Sequence, residues 1–219
     1  MKLDAKTLEV LKNFSSINPA LKFTAGQELV TVSPIKTILA KAKITSEVEG
    51  DFCIGELGRF MSALSLFDDP EVLLGEKSLT IQDKNNRLEY VYTSEELIKT
   101  PTSREIKLPS VDAQFTLTNE SLQVVKKAMS VLSLTEMAVV GKKGELFLEA
   151  IDSKGTTKDS FSIKVGDTDK NFTAVFKAEY LKLLPLDYEV SICKKGISSF
   201  VNPDITYWIA IEAGVSKFE

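Results

Sequence analysis

Chemistry at neutral pH most often needs an imidazole, a paired thiol or a phosphate loop, and this sequence of 219 residues offers none of them in working form. It has no histidine, which removes Ser/His/Asp and Cys/His arrangements and the HExxH zinc motif. Its two cysteines, Cys53 and Cys193, stand far apart with no CxxC, so they form no zinc knuckle and read as buried free thiols of a reducing compartment. Gly50 to Gly55 has the GxxxxG spacing of a phosphate loop, but Glu56 and Leu57 stand where such a loop needs Lys and Ser/Thr. No GxGxxG follows a strand. The carboxylate pairs Asp68-Asp69 and Glu95-Glu96 lie in turn or connector sequence, and Asp167 with Asp169 lacks the glycine and closing glutamate of a calcium loop, reading instead as a hairpin turn. No catalytic residue, metal or cofactor is expected.

The residues left to act are cations on amphipathic helices. Asp4 to Ile17 sets Leu3, Thr7, Val10, Leu11, Phe14 and Ile17 on one side, with Asp4 as N-cap, and presents Lys2, Lys6 and Lys12 on the other. Thr118 to Ser133 repeats the pattern, with Leu122, Val125, Ala128, Met129 and Leu132 inward and Lys126 and Lys127 outward. Glu56 to Phe67 turns Arg59 outward, and a short segment, Ala178 to Leu184, does the same with Lys182. Four of the five acids on these segments fall in a first turn, where they complement the helix dipole. The helix bodies are therefore basic within a chain whose net charge is -4. Helices on one side of a sheet would pool these cations into one surface.

Two halves carry this pattern. Leu3, Leu8, Val10 and Lys12 fall on Leu117, Leu122, Val124 and Lys126 at an offset of 114 residues, and each half has a formal charge of -2. The expected domains are 1–109 and 110–219, joined by a polar connector over about 93–109 that contains Pro101 and Pro109. Period-two alternation predicts strands over Arg87 to Tyr92 and Ser160 to Val165, and apolar runs predict others over Phe172 to Phe176, Glu189 to Cys193 and Tyr207 to Ala213, with Trp208 in the core. The class is α+β with much antiparallel sheet. No apolar run approaches the ~20 residues that span a bilayer, and Asp4 and Lys6 interrupt the start where a signal peptide needs apolar residues; the expected place is the cytoplasm.

Leu11-Lys12-Asn13-Phe14 with Ile17-Asn18, then Leu57-Gly58-Arg59-Phe60-Met61-Ser62-Ala63-Leu64, then Tyr207-Trp208-Ile209-Ala210-Ile211-Glu212-Ala213 resemble, in order and spacing, the sliding clamps of T-even-type bacteriophages. The resemblance implies duplicated clamp domains, with sheets outside and helices inside, and three subunits closing head to tail into a ring around duplex DNA. It implies DNA contacts without sequence reading at Lys6, Lys12, Arg59, Lys126, Lys127 and Lys182, and subunit contacts between Arg87 to Thr93 and Lys158 to Val165. Its implied partners are the DNA polymerase, which the ring tethers as a processivity factor, and an ATP-dependent clamp loader, with late-transcription proteins as a further class. The setting is the cytoplasm of an infected host cell. Partners of a ring without enzymatic chemistry are expected to dock in an apolar groove, for which Leu97, Ile98, Ile106, Val215 and Phe218 are the candidate lining, with Phe218 poorly explained by packing alone. Two readings of other classes stay open on sequence: a carboxylate hydrolase with an acid pair in a cleft, and a phage assembly or scaffold protein that never meets DNA.

Overall fold

In the computed structural model, which describes residues 1–155 and 158–219, the chain divides into two compact units, Met1–Glu105 and Ile106–Glu219, with the boundary inside the connector. The first unit runs α1 (Ala5–Ile17), β1 (Leu21–Phe23), β2 (Gly26–Val32), β3 (Ile38–Val48), β4 (Phe52–Ile54), α2 (Leu57–Leu64), β5 (Glu71–Leu74), β6 (Ser78–Gln82) and β7 (Arg87–Val91), then a 3-10 turn at Glu95–Leu97. In it β5, β6 and β7 form an antiparallel meander, β2 pairs with β3, and β1 with β4.

Asp4 caps α1 as its sequence position suggests, its side chain accepting from the backbone N–H of Thr7 at 2.8 Å. The helix buries Val10, Leu11, Phe14 and Ile17 against β3 and α2. Phe14 is wholly enclosed, so truncation to alanine would cost about 3–5 kcal/mol. Thr7 occupies an inward position that an apolar residue would normally take, and its hydroxyl is satisfied by Ser46 of β3 at 3.0 Å. Ser46 Oγ also accepts from Asp4 N at 3.0 Å, which pins the helix start to the sheet. Beside it, Phe23, Phe52, Phe60 and Tyr90 interlock through stacked and edge-on contacts. Asn18 closes the helix: buried, it donates to the carbonyls of Val32 and Lys99 and so holds the start of the connector.

The second unit runs β8 (Ala113–Leu117), α3 (Asn119–Val131), β9 (Glu136–Lys142), β10 (Glu145–Ile151), β11 (Phe161–Asp167), β12 (Phe172–Lys177), β13 (Tyr188–Cys193), β14 (Ile197–Val201), β15 (Ile205–Ala210) and β16 (Lys217–Phe218). Thr118 caps α3 through the N–H of Ser121, and the helix packs on β9, β10 and β11. One sheet is ordered β11-β10-β9-β12-β16; the strands β8, β13, β14 and β15 pair in the order β8-β13-β14-β15. Trp208 is buried, as are both free cysteines.

Three expectations change. Asp167 and Asp169 do not make a hairpin, because β11 and β12 lie apart in the sheet and the chain between them passes β10 and β9. The tight turn is Lys143-Gly144, where φ is +56° and +87°, a mirror-image turn matching strand twist. Ala178 to Leu184 is not an α-helix: only a 3-10 turn forms, at Ala178–Tyr180. Pro185 disfavours helical geometry at Leu184, and the tyrosines take the backbone groups a helix would have used. Tyr188 Oη donates to Leu184 O at 2.8 Å, and Leu184 N donates to Tyr207 Oη at 3.2 Å. Finally, the strand expected over Tyr207 to Ala213 ends at Ala210.

Candidate nucleic-acid interface

An amphipathic helix that buries one stripe in its unit must turn the other to solvent, and the cations sit on those outer faces. Lys6 and Lys12 are exposed on α1, and Arg59 on α2. The outward Lys2 is tied to Asp69. Arg59 lies over the ring of Tyr90 on β7, with Cζ 5.8 Å from the centroid, so its guanidinium is held by a cation–π contact rather than by an acid. Burial raises the Tyr90 hydroxyl pKa, and the charge of Arg59 opposes that shift.

On α3, Lys127 is exposed and Lys126 half-buried. Burial holds the Lys126 ammonium below its ordinary pKa, and the charge of Lys182 pushes it the same way. Lys182 has left the helix expected for it, yet it stands close enough to Lys126 to repel it.

Four of these cations stand without an acid. Lys12, Arg59, Lys126 and Lys127 make no ion pair among the described residues. On the strands and connector several cations are paired: Lys22 meets Glu95 at 2.7 Å, Lys41 and Arg104 meet Glu28 at 2.9 and 3.2 Å, and Lys164 meets Glu145 and Asp167 at 2.9 and 3.0 Å. Such surface pairs add about 0–1 kcal/mol each. Their consequence here is that Lys22, Lys41 and Lys164 are neutralised locally while Lys12, Arg59, Lys126 and Lys127 keep their field. That arrangement can bind a polyanion through its backbone charge, a kind of contact that carries no sequence information.

Asp4, Asp83 and Asp112 are held below the ordinary carboxylate range, by the Thr45 hydroxyl, by the N–H groups of Asn85 and Asn86, and by the N–H of Lys194 with the Ser110 hydroxyl, respectively. A general acid needs the reverse shift. Among the described residues no three acids and cysteines gather as a metal site.

The residues expected to line a partner groove do not gather within either unit. Leu97, 80% exposed, and Ile98 belong to the first unit. There they line an open cleft of about 700 Å³ with Pro34, Arg59, Tyr90 and Val91. Ile106, Val215 and Phe218 belong to the second. Phe218 has a packing role after all: it pairs with Phe172 across β12 and β16, ring centroids 5.8 Å apart and nearly parallel. Sequence reasoning does not find Tyr90 as the companion of Arg59. The alternating strand that carries Tyr90 is legible, but nothing in the spacing links it to a helix some thirty residues earlier.

Comparison with known proteins adds the following. The family described as gp45 sliding clamp, C terminal, matches residues 114–213. A protein named sliding clamp from Vibrio phage KVP40 is 36% identical over 221 residues, covering 97% of this chain and 100% of its own. The sliding clamp of Escherichia phage RB69 is 27% identical over 223 residues, with 97% of each chain covered. Among solved structures, the proliferating cellular nuclear antigen of Entamoeba histolytica matches at TM-score 0.69 and 15% identity over 95% of both chains. The Helicobacter pylori beta clamp bound to a DNA ligase peptide matches at TM-score 0.70 and 16% identity, covering 97% of this chain and 65% of that one. At such identities the solved structures speak to fold alone.

Proposed function

We propose, from the premise that this chain belongs to the sliding-clamp family, that three copies close head to tail into a ring whose inner wall is formed by α1, α2 and α3. The chain is a DNA sliding clamp, a processivity factor of DNA replication. The observation that carries the proposed DNA face is the set of cations without an ion pair among the described residues on the outer helix faces, Lys12, Arg59, Lys126 and Lys127. With Lys6 and the Lys126–Lys182 neighbourhood, these side chains would meet phosphates of duplex DNA without regard to sequence. Net negative charge elsewhere would discourage DNA from resting on the outside.

Two free sheet edges support head-to-tail closure. β7 ends the meander of the first unit and β11 ends the five-stranded sheet of the second, so each offers unpaired backbone groups. Val91 on β7 is 69% exposed. Pairing β7 of one copy with β11 of the next is a heterologous contact, and at threefold rotation it closes. Sedimentation equilibrium at micromolar protein should give the three-chain mass, and Val91→Lys, which sets a charge on the edge without touching the core, should shift that mass toward the single chain. A monomer or dimer that never yields trimer on concentration would sink this arrangement.

In this reading the chain has no catalytic activity of its own. It tethers the polymerase topologically and is opened by a clamp loader that hydrolyses ATP, with late-transcription proteins as further partners, in the cytoplasm of an infected host. A phosphate loop is missing where the loader would supply one.

A further inference from the structure

A carboxylate that holds an arginine in place also cancels its charge, whereas an aromatic face holds it and leaves its N–H edges free. Arg59 of α2 is held in the second way. Its guanidinium lies over the ring of Tyr90, with Cζ 5.8 Å from the centroid, and it makes no ion pair among the described residues. The ring is a fixed platform. Tyr90 stands opposite Leu79 in the ladder between β6 and β7, and it meets the fully enclosed Phe60 edge-on, centroids 5.6 Å apart at 76°. Residues 59 and 60 of α2 therefore both rest on it. An acid is available to Arg59 and is not used. Glu56 lies three residues earlier, a spacing at which helix side chains meet, and its exposed carboxylate makes neither a capping hydrogen bond nor an ion pair among the described residues. It stands near the same ring: burial raises the Tyr90 hydroxyl pKa, the charge of Arg59 opposes that shift, and the charge of Glu56 adds to it. Glu89, next to Tyr90 on β7, is engaged by the Ser78 hydroxyl at 2.6 Å. Glu56, Arg59 and Tyr90 line one open cleft of about 700 Å³, from which the guanidinium is reached.

We propose that Tyr90 is a positioning residue for DNA binding: its ring keeps Arg59 extended and away from Glu56, so that the guanidinium meets a phosphate already ordered and with its charge intact. The proposal rests on the reading that the helix cations face duplex DNA. A planar guanidinium lying on a ring keeps its N–H donors in its own plane, where a phosphate can take two of them at once. A pair with Glu56 would occupy those same donors and would have to break before DNA is bound. Ordering Arg59 beforehand also spares part of the side-chain entropy that binding otherwise costs. Tyr90 acts through Arg59 and needs no phosphate contact of its own.

The test is the salt dependence of duplex binding, read by fluorescence anisotropy on full-chain variants whose native mass equals that of wild type. Arg59→Ala should flatten the slope of log K against log salt by about 0.9 for each chain of the ring that touches the duplex, about a 3.5-fold smaller fall in affinity between 50 and 200 mM salt. Tyr90→Leu, which keeps an apolar contact with Phe60, should flatten it equally although Arg59 is still present. Tyr90→Phe keeps the ring and should retain the wild-type slope. Glu56→Gln alone should leave the slope as it is, and added to Tyr90→Leu it should restore it, because the released guanidinium then has no acid to fall on; a tyrosine that served packing alone would give no such rescue. In the wild-type chain the Arg59 Nε–H NMR signal should carry the ring-current shift of Tyr90 and keep it when duplex is added, an observation that needs no variant. A wild-type slope in Tyr90→Leu, a flattened slope in Tyr90→Phe, no rescue by Glu56→Gln, or loss of the ring-current shift on DNA would overturn the proposal. If Lys12→Ala flattens the slope and Arg59→Ala does not, the proposal falls while the DNA face stands; if neither does, both fall.

Discussion

Replacing two helix lysines should change how the protein holds DNA, and replacing two sheet lysines should not. Lys12→Ala with Lys126→Ala removes two cations that have no acid partner; Lys41→Ala with Lys164→Ala removes two that are paired with Glu28 and with Glu145 and Asp167. Both variants change net charge by the same amount, so any difference between them reports position. Each phosphate neutralised contributes about -0.9 to the slope of log K against log salt. Leaving two phosphates per chain without their lysines should therefore flatten the slope by about 1.8 for each chain of the ring that touches the duplex. Between 50 and 200 mM salt, a fourfold range, that is about a twelvefold smaller fall in affinity for each such chain. The sheet variant should keep the wild-type slope, since its lysines already have counterions of their own within the protein. Fluorescence anisotropy on a labelled duplex, without loader or polymerase, measures the slope directly, and circular dichroism checks the fold of each variant. Equal slopes for the two variants, or an unchanged slope in the helix variant, would refute the argument that unpaired helix cations form the DNA face.

The Lys126 ammonium gives a pH signature. Its pKa is lowered in the free protein, so it loses its proton at a pH where ordinary lysines keep theirs; DNA binding should take up protons there, and affinity should fall as pH rises. Lys182→Ala removes one cause of the lowering and should move that fall to higher pH, as read by anisotropy across pH and by the Lys126 side-chain NMR signal. Asp4→Ala should cost about 1 kcal/mol through loss of the α1 cap. Because the Asp4 pKa is depressed in the folded state, chiefly by Thr45, that contribution is present above the ordinary carboxylate pKa and lost as pH falls through the depressed one. Urea unfolding of wild type and variant should therefore converge at low pH.

Much of this molecule is written in local pattern. Helix positions such as Val10, Leu11 and Phe14, and caps such as Asp4 and Thr118, act within a turn or two of themselves, so 3.6-residue periodicity locates α1 and α3 almost to the residue. The alternation of Phe161 to Val165 and of Arg87 to Val91 marks strands for the same reason. The absence of histidine and phosphate loops is likewise a property of the amino-acid sequence, as is the basic bias of the helix faces.

Tertiary structure decided the rest wherever the determining partner lies far along the chain. Tyr207 holds Leu184 N from 23 residues away, a contact that no window around Ala178 to Leu184 contains and that adds to the local effects of Pro185 and Tyr188. Phe218 looked unanchored because Phe172, the ring it stacks on, is reached only through a ladder between β12 and β16. Arg59 meets Tyr90, and Lys126 meets Lys182, across gaps that only folding closes. Whether a lysine is free or neutralised also belongs to this level: Lys12 and Lys41 are the same residue type in the sequence, and only the placement of Glu28 beside Lys41 separates them. Electrostatic interaction falls with distance in space and not along the chain, which is why composition could mark the helices as basic but could not say which of their charges remain for a partner.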